Sequence, residues 1–221
     1  MEAKKNWQDL LVITIAIAPV IYLITIWNSI PAIIPTHYNA DFKPNAIGSK
    51  SILWFPALLL SGVSLLIYFL FKNIHRIDPK RYGDKRKDSL MRLGIVVLVF
   101  MAILNFVILL SITKNIHLLD KLLFPVVGLF FSFIGNYMQN LKPNYFAGIR
   151  IPWTLNSEQN WRKTHQFAGK LWFFGGLTIA VGCLFLPLLT AAICMSVVTL
   201  ALVIAPMRYS YLIFKQEKQI K

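Results

Sequence analysis

One polar stretch of this chain, Asn144 to His165, gathers Asn144, Gly148, Arg150, Pro152, Trp153, Trp161, Arg162, Lys163 and His165 between runs of nearly pure hydrocarbon. Three cations and an imidazole suit contact with phosphate headgroups, the docking of a partner, or catalysis on a lipid headgroup. Catalysis by Arg150, Arg162, Lys163 and His165 is disfavoured, because Glu158 is the one carboxylate in the stretch. A solvated loop has no need of two tryptophans. A transmembrane helix could not carry Arg150, Glu158, Arg162 and Lys163 cheaply. The stretch therefore belongs at a membrane surface.

A second polar cluster is Thr36, His37, Tyr38, Asn39 and Asp41. His37 and Asp41 are metal-ligand types, but one histidine and one carboxylate do not complete a site. Read from the residues alone, the cluster is a polar turn over helix ends. No His-Glu-x-x-His zinc signature occurs. No Asp, Glu, Lys or Arg lies in the middle of an apolar run, where coupled transporters keep such groups. A small transporter or exporter of lipid or peptide remains the alternative from another class, and it would need a polar cavity that these runs scarcely supply. No metal or cofactor is expected.

The elements that must position these residues follow from composition. Apolar residues make up 57% of the chain and charged residues 14%, well outside the range of soluble domains. Runs without charge reach the length needed to cross about 30 Å of hydrocarbon. The expected fold is an all-α integral membrane bundle of six transmembrane helices: 10–30, 52–71, 93–113, 122–139, 171–186 and 189–214. Residues 1–72 read as a two-span module with an outer loop at 31–50. Residues 73–92 read as a basic loop, and 93–221 as a four-span core holding the polar segment 140–170. The N-terminal apolar run is longer than the core of a removable signal, so the first span is expected to stay.

Basic residues set the orientation. The N-terminal tail has two Lys or Arg, the loop from Lys72 to Arg92 eight, the 140–170 segment five and the C-terminal end four. Together these place nineteen of the 23 on one side. By the positive-inside rule both termini are cytoplasmic. The charge of +14 is thus a topology signal rather than a sign of nucleic-acid binding. The 72–92 loop reads as a charged face on anionic lipid, or as a docking surface for a soluble protein.

Locally, Gly148 and Pro152 break helical continuity, so an extended or turned segment is expected before Asn156. Asn156 or Ser157 can cap a helix beginning near 157, with Glu158 favourable in its first turn. Trp161, His165, Ala168 and Trp172 then share one face. That describes an interfacial helix before the fifth span, with Trp161 and Trp172 either anchoring at headgroup depth or serving function. Arg150 and Trp153, in the irregular part, are read as functional. Asn105 and Asn136 are expected to bond between helices, and Gly175, Gly176 and Gly182 to mark close packing. Cys183 and Cys194 read as small packing residues.

The run Asn-Tyr-Phe-Ala-Gly-Ile-Arg from Asn144, then Pro-Trp-Thr-Leu from Pro152, then Trp-Arg-Lys-Thr-His from Trp161 resembles the core motif of the SdpI family of bacterial membrane proteins. The loop Ile34 to Asp41, with Gly48-Ser49-Lys50, is similar to a separate N-terminal domain of unknown function that often accompanies that core. It departs from the pattern at Ala40, where glycine is frequent.

The resemblance implies a multi-pass protein of the bacterial cytoplasmic membrane that is not an enzyme. It implies immunity to a secreted peptide toxin outside, and possible sequestration of a transcriptional repressor inside. Thr36, His37, Tyr38, Asn39 and Asp41 would then contact the peptide. Asn144, Gly148, Arg150, Pro152, Trp153, Trp161, Arg162, Lys163 and His165 would hold or relay to the partner. No direct contact with nucleic acid is implied.

Overall fold

A computed structural model describes residues 2–39, 43–77, 84–114, 118–144 and 146–219. It is mostly helical: α1 (Glu2–Ile26), α2 (Trp54–Lys72), α3 (Ile74–Ile77), α4 (Asp84–Lys114), α5 (Leu118–Met138), α6 (Pro152–Asn156), α7 (Glu158–Gly182) and α8 (Leu188–Gln219). Between α1 and α2 lie two strands, β1 (Ile33–Tyr38) and β2 (Pro44–Ser49). Helices suit apolar surroundings because each satisfies its own backbone polar groups. Among the described residues, five stretches are long and apolar enough to cross a membrane: Trp7–Ser29, Lys50–Lys72, Leu90–Thr113, Lys121–Met138 and Leu188–Gln219.

The expected span at 171–186 is not among these five. Its helix, α7, ends at Gly182. Counted from Leu171, its apolar part is therefore roughly 18 Å long, short of a full hydrocarbon crossing. The chain packs as two units, Met1–Val126 and Val127–Lys221, and the division falls inside α5.

In the first unit, α1, α2 and α4 pack together around two apolar clusters. Leu23, Ile30, Ile34, Leu53, Ala57 and Leu109 form one. Val12, Ala16, Tyr68 and Leu98 form the other. Asp9 ties the start of α1 to the end of α2: it pairs with Lys72 and accepts from the Tyr68 hydroxyl at 2.8 Å. Asn105 of α4 donates to the Ala57 carbonyl of α2 at 3.1 Å. This is the interhelical bond expected of it, whereas Asn136 is exposed.

The polar loop at the other end of α1 is an antiparallel hairpin, which departs from an all-α reading. Ile33, Ile34, Thr36 and Tyr38 are β-branched or aromatic and favour a pleated strand. Ile34 pairs with Gly48, and a register irregularity between Pro35 and His37 accommodates Thr36. A Cβ on Gly48 would meet the Thr36 methyl at 2.9 Å. Lys50 fastens the hairpin base, because its ammonium donates to the Trp27 and Ile30 carbonyls at 2.8 and 3.2 Å. It also lies 4.7 Å from the centre of the Trp27 ring.

In the second unit a seam of small residues brings α5 and α7 together. A Cβ on Gly135 would meet the Phe173 amide nitrogen at 2.4 Å, and one on Gly176 would meet the Gly128 carbonyl at 2.5 Å. Ser132 donates across the seam to the Phe173 carbonyl at 2.8 Å. Gly175 faces α8 instead, where Leu202 would be 2.9 Å from an added Cβ. Gly182 has open space, so of the three glycines expected to pack closely it does not. Cys183 and Cys194 are free thiols.

Gly176→Ala should therefore lower stability by about 1–3 kcal/mol, since its new methyl meets backbone that cannot rotate away. Gly62→Ala, where an added Cβ meets nothing within 4 Å, should be neutral or slightly stabilising. Thermal unfolding of the purified proteins in detergent compares the two. Equal effects would contradict the seam.

Candidate functional site

The chain leaves α5 at Met138, and the described residues from there to Pro152 form no helix or strand. Its backbone polar groups must therefore find side chains. Asn144 supplies the first set. Its carbonyl oxygen accepts from the amides of Phe146 and Ala147 at 2.8 and 2.7 Å, and its amide donates to the Lys142 carbonyl at 2.9 Å. The Trp161 indole donates to the Leu141 carbonyl at 2.7 Å. The Thr154 hydroxyl accepts from the Ile151 amide at 3.2 Å. Its proton faces the Ile149 and Ile151 carbonyls, at 2.8 and 2.9 Å.

His165 closes the remaining gap. It is fully buried on α7, and its ring stacks on Trp161 with centroids 4.0 Å apart and planes at 17°. Nδ1 lies 2.9 Å from the Trp161 carbonyl. Nε2 lies 2.9 Å from the Ile149 amide nitrogen. A carbonyl only accepts and an amide N–H only donates, so the ring is neutral with its proton on Nδ1. Burial lowers its pKa below the ordinary histidine value, opposed by the bond to Trp161. Gly148 makes the approach possible: its φ is 108°, and a Cβ there would lie 2.4 Å from Nε2.

The segment before Asn156, expected to be extended or turned, contains the short helix α6. Pro152 is tolerated at its start, where an N–H has no intrahelical partner. Trp153 on that helix packs against Tyr211 and Phe214 of α8, with ring centroids at 5.1 and 6.2 Å. Ser157 caps α7, accepting from the Asn160 amide at 3.1 Å and donating to Glu217 at 3.0 Å. Asn160 is fully buried. It donates to the Ser210 carbonyl at 2.9 Å and accepts from the hydroxyls of Ser210 and Thr164 at 2.7 and 2.9 Å.

The expected face of α7 is present but points into the protein. Trp161, His165 and Ala168 are buried. Trp161 is thus a packing and hydrogen-bonding residue, not an anchor at headgroup depth. Trp172 is half-buried and donates to the Leu202 carbonyl at 2.9 Å. That carbonyl is the one left without a helical partner by Pro206, which has no N–H. Arg150, Arg162 and Lys163 are exposed, so the cations face outward from a tightly bonded frame. Thr154, Asn160, Thr164 and Ser210 were not anticipated as part of it. Asn160 and Thr164, one helical turn apart, were the available signal, but nothing in the sequence says that Ser210 meets them.

In the hairpin, His37 donates from Nδ1 to the Asn45 side-chain oxygen at 2.6 Å. Asn39 accepts from the Lys43 amide at 2.8 Å. Thr36 sits at the register irregularity and Tyr38 pairs with Pro44. Asp41 lies outside the described residues. Among the described residues no group of three or more His, Cys, Asp or Glu could hold a metal ion.

Comparison with known proteins now bears on this frame. The model of the SdpI/YfhL protein family matches residues 140–210, which span the whole frame from Leu141 to Ser210. A domain of unknown function (DUF1648) matches residues 14–60, which include the hairpin. The "Immunity protein SdpI" of Bacillus subtilis (strain 168) is 30% identical over 214 residues, covering 96% of this chain and 97% of its own. The chain belongs to the SdpI family. Its family membership and its five long apolar helices make it a membrane protein. No solved structure matches the chain.

The frame separates residues that hold the fold from residues that face outward. Asn160→Ala should cost about 1–3 kcal/mol, because the Ser210 and Thr164 hydroxyls lose a buried acceptor. Trp153→Ala should cost about 2 kcal/mol or more through lost aromatic packing. Arg150→Ala should stay within about 0.5 kcal/mol of the parent, as exposed substitutions do. Thermal unfolding of the three variants checks the order, and a destabilised Arg150→Ala would contradict it.

Proposed function

We propose that this chain is a non-enzymatic immunity protein of the bacterial cytoplasmic membrane, protecting its cell from a secreted peptide toxin. The observation that carries this reading is its likeness, over almost its whole length, to a protein named for immunity. In this reading it has six spans, the short apolar half of α7 completing the set across a locally thinned bilayer, with both termini in the cytoplasm. The hairpin, with Thr36, His37, Tyr38, Asn39 and Asp41, faces outward and meets the peptide. Segment 140–170 faces the cytoplasm and holds a partner, for which a transcriptional repressor is the candidate. Arg150, Arg162 and Lys163 are its contact residues. Asn144, Gly148, Pro152, Trp153, Trp161 and His165 keep the backbone beneath them in place. The exposure of the three cations on an otherwise bonded frame supports this division.

Topology is tested by single cysteines at Ala46 and Gln159, both exposed, in a background lacking Cys183 and Cys194. An impermeant thiol reagent on intact cells should label Ala46→Cys and spare Gln159→Cys. The reverse pattern would overturn the orientation.

Immunity is tested in a sensitive bacterium. Protection against a membrane-active peptide toxin encoded beside this chain's gene should scale with the amount of protein, because a binder is titrated whereas an enzyme turns over. The recovered peptide should have an unchanged mass. Cleaved or modified peptide would point to catalysis, and no protection by well-inserted protein would refute immunity.

A further inference from the structure

The bond between the Ile149 amide and His165 exists in one protonation state only. Protonating Nε2 would set an N–H against the Ile149 N–H. Rotating the ring cannot help, since both nitrogens of an imidazolium donate. Nor does the pocket offer slack. The ring is fully buried and stacked on Trp161, and Gly148 already lies so close that it has no room for a Cβ. We propose that His165 is a proton-operated latch on the Gly148–Ile149 turn: neutral, it holds the turn shut against α7, and protonated, it releases it.

Charged groups on the packed elements do not soften this. α6 carries none. The turn's own segment carries Lys142 and Arg150, both exposed. On α7 the neighbouring Arg162, Lys163 and Lys170 are exposed and of the wrong sign. Glu158 is exposed, about two helical turns from His165. On α8, Arg208, Lys215 and Lys218 are exposed, and Glu217 accepts from Ser157, about two helical turns from His165; residues 127–138 of α5 carry no charge. No bond between a carboxylate and the ring is present among the described residues, so the cation gains by leaving.

The direction with pH follows. In the released turn the imidazole regains an ordinary pKa of about 6.5. In the closed turn burial holds it lower. Between the two values the released form binds more protons, so its population rises as the pH falls below about 6.5, by at most about tenfold per pH unit. Release also frees the backbone beneath Arg150, because the Ile149 amide is one of the bonds that fix it. Only this last consequence rests on the reading of Arg150 as a partner contact. The latch rests on the geometry alone.

Hydrogen exchange of the full chain in lipid nanodiscs tests it, with no toxin or partner present. In the wild type, amide protection of residues 146–151, corrected for intrinsic exchange, should fall as the pH drops below about 6.5, by at most about tenfold per pH unit, while the α7–α8 core stays protected. His165→Gln can accept from the Ile149 amide without titrating, so its protection should not change with pH. Gly148→Ala, whose Cβ collides with Nε2, should leave the turn open even near neutrality. Wild-type protection that ignores pH would overturn the latch, as would an acid loss in His165→Gln equal to that of the wild type. A closed turn in Gly148→Ala would do the same. If His165→Gln does not insert, the other two proteins still decide. Because no ligand takes part, this result is independent of whether the chain confers immunity.

Discussion

A backbone that is neither helix nor strand, placed among apolar helices, must still satisfy every N–H and C=O. Residues 139–144 and 146–151 are in that position, and the second unit is built around the answer. Asn144, Thr154, Trp161 and His165 each give a side-chain bond to that backbone. Three of these four stand on α6 and α7. The turn and the helices therefore specify one another. The turn has no ladder without the helices, and the Thr154 hydroxyl, the Trp161 indole N–H and His165 Nε2 lose their partners without the turn. Polar side chains buried for this purpose are costly unless satisfied. The Asn160–Ser210–Thr164 set meets that condition on the side facing α8.

The same demand recurs wherever a helix is interrupted. Pro206 removes one backbone donor from α8, and Trp172 of α7 supplies an indole N–H to the carbonyl left over. Where α1 ends, the Trp27 and Ile30 carbonyls receive the Lys50 ammonium, so the hairpin is pinned by the helix end it extends. In each case one long side chain both repairs the backbone and joins two elements. Removing it would cost a bond and a contact together.

Division of labour within the 140–170 segment follows from this arrangement. Asn144, Thr154, Asn160, Trp161, Thr164 and His165 are bonded within the frame, while Arg150, Arg162 and Lys163 are among the residues that remain exposed. A partner or a headgroup would thus meet cations on a fixed backbone, and binding would not have to order that backbone. His165 is the frame member whose bonding depends on a proton. The stiffness of the whole turn is therefore tied to the charge of one buried ring.

Much was legible in the sequence because it depends on composition and order. Uncharged apolar runs marked five helices long and apolar enough to cross hydrocarbon, though not the expected sixth at 171–186, and the Asn144–His165 run marked the family. Ser157 as a cap and the Trp161–His165–Ala168 face were readable from local spacing. What the tertiary structure decided was which way each residue points and what it meets. Trp161 looked like an interfacial anchor, yet it is buried, because the Leu141 carbonyl twenty residues away needs its N–H. Trp153 reads from the sequence as a functional residue of an irregular segment, and the structure adds that α8 brings Tyr211 and Phe214 against it. Residues 31–50 read as a loop with a polar turn from Thr36, yet Ile33–Tyr38 and Pro44–Ser49 pair as strands. Helical period and hydropathy are local properties of the chain. Hydrogen-bond partners of an irregular backbone are set by residues distant in sequence, and only the packed structure brings them within 3 Å.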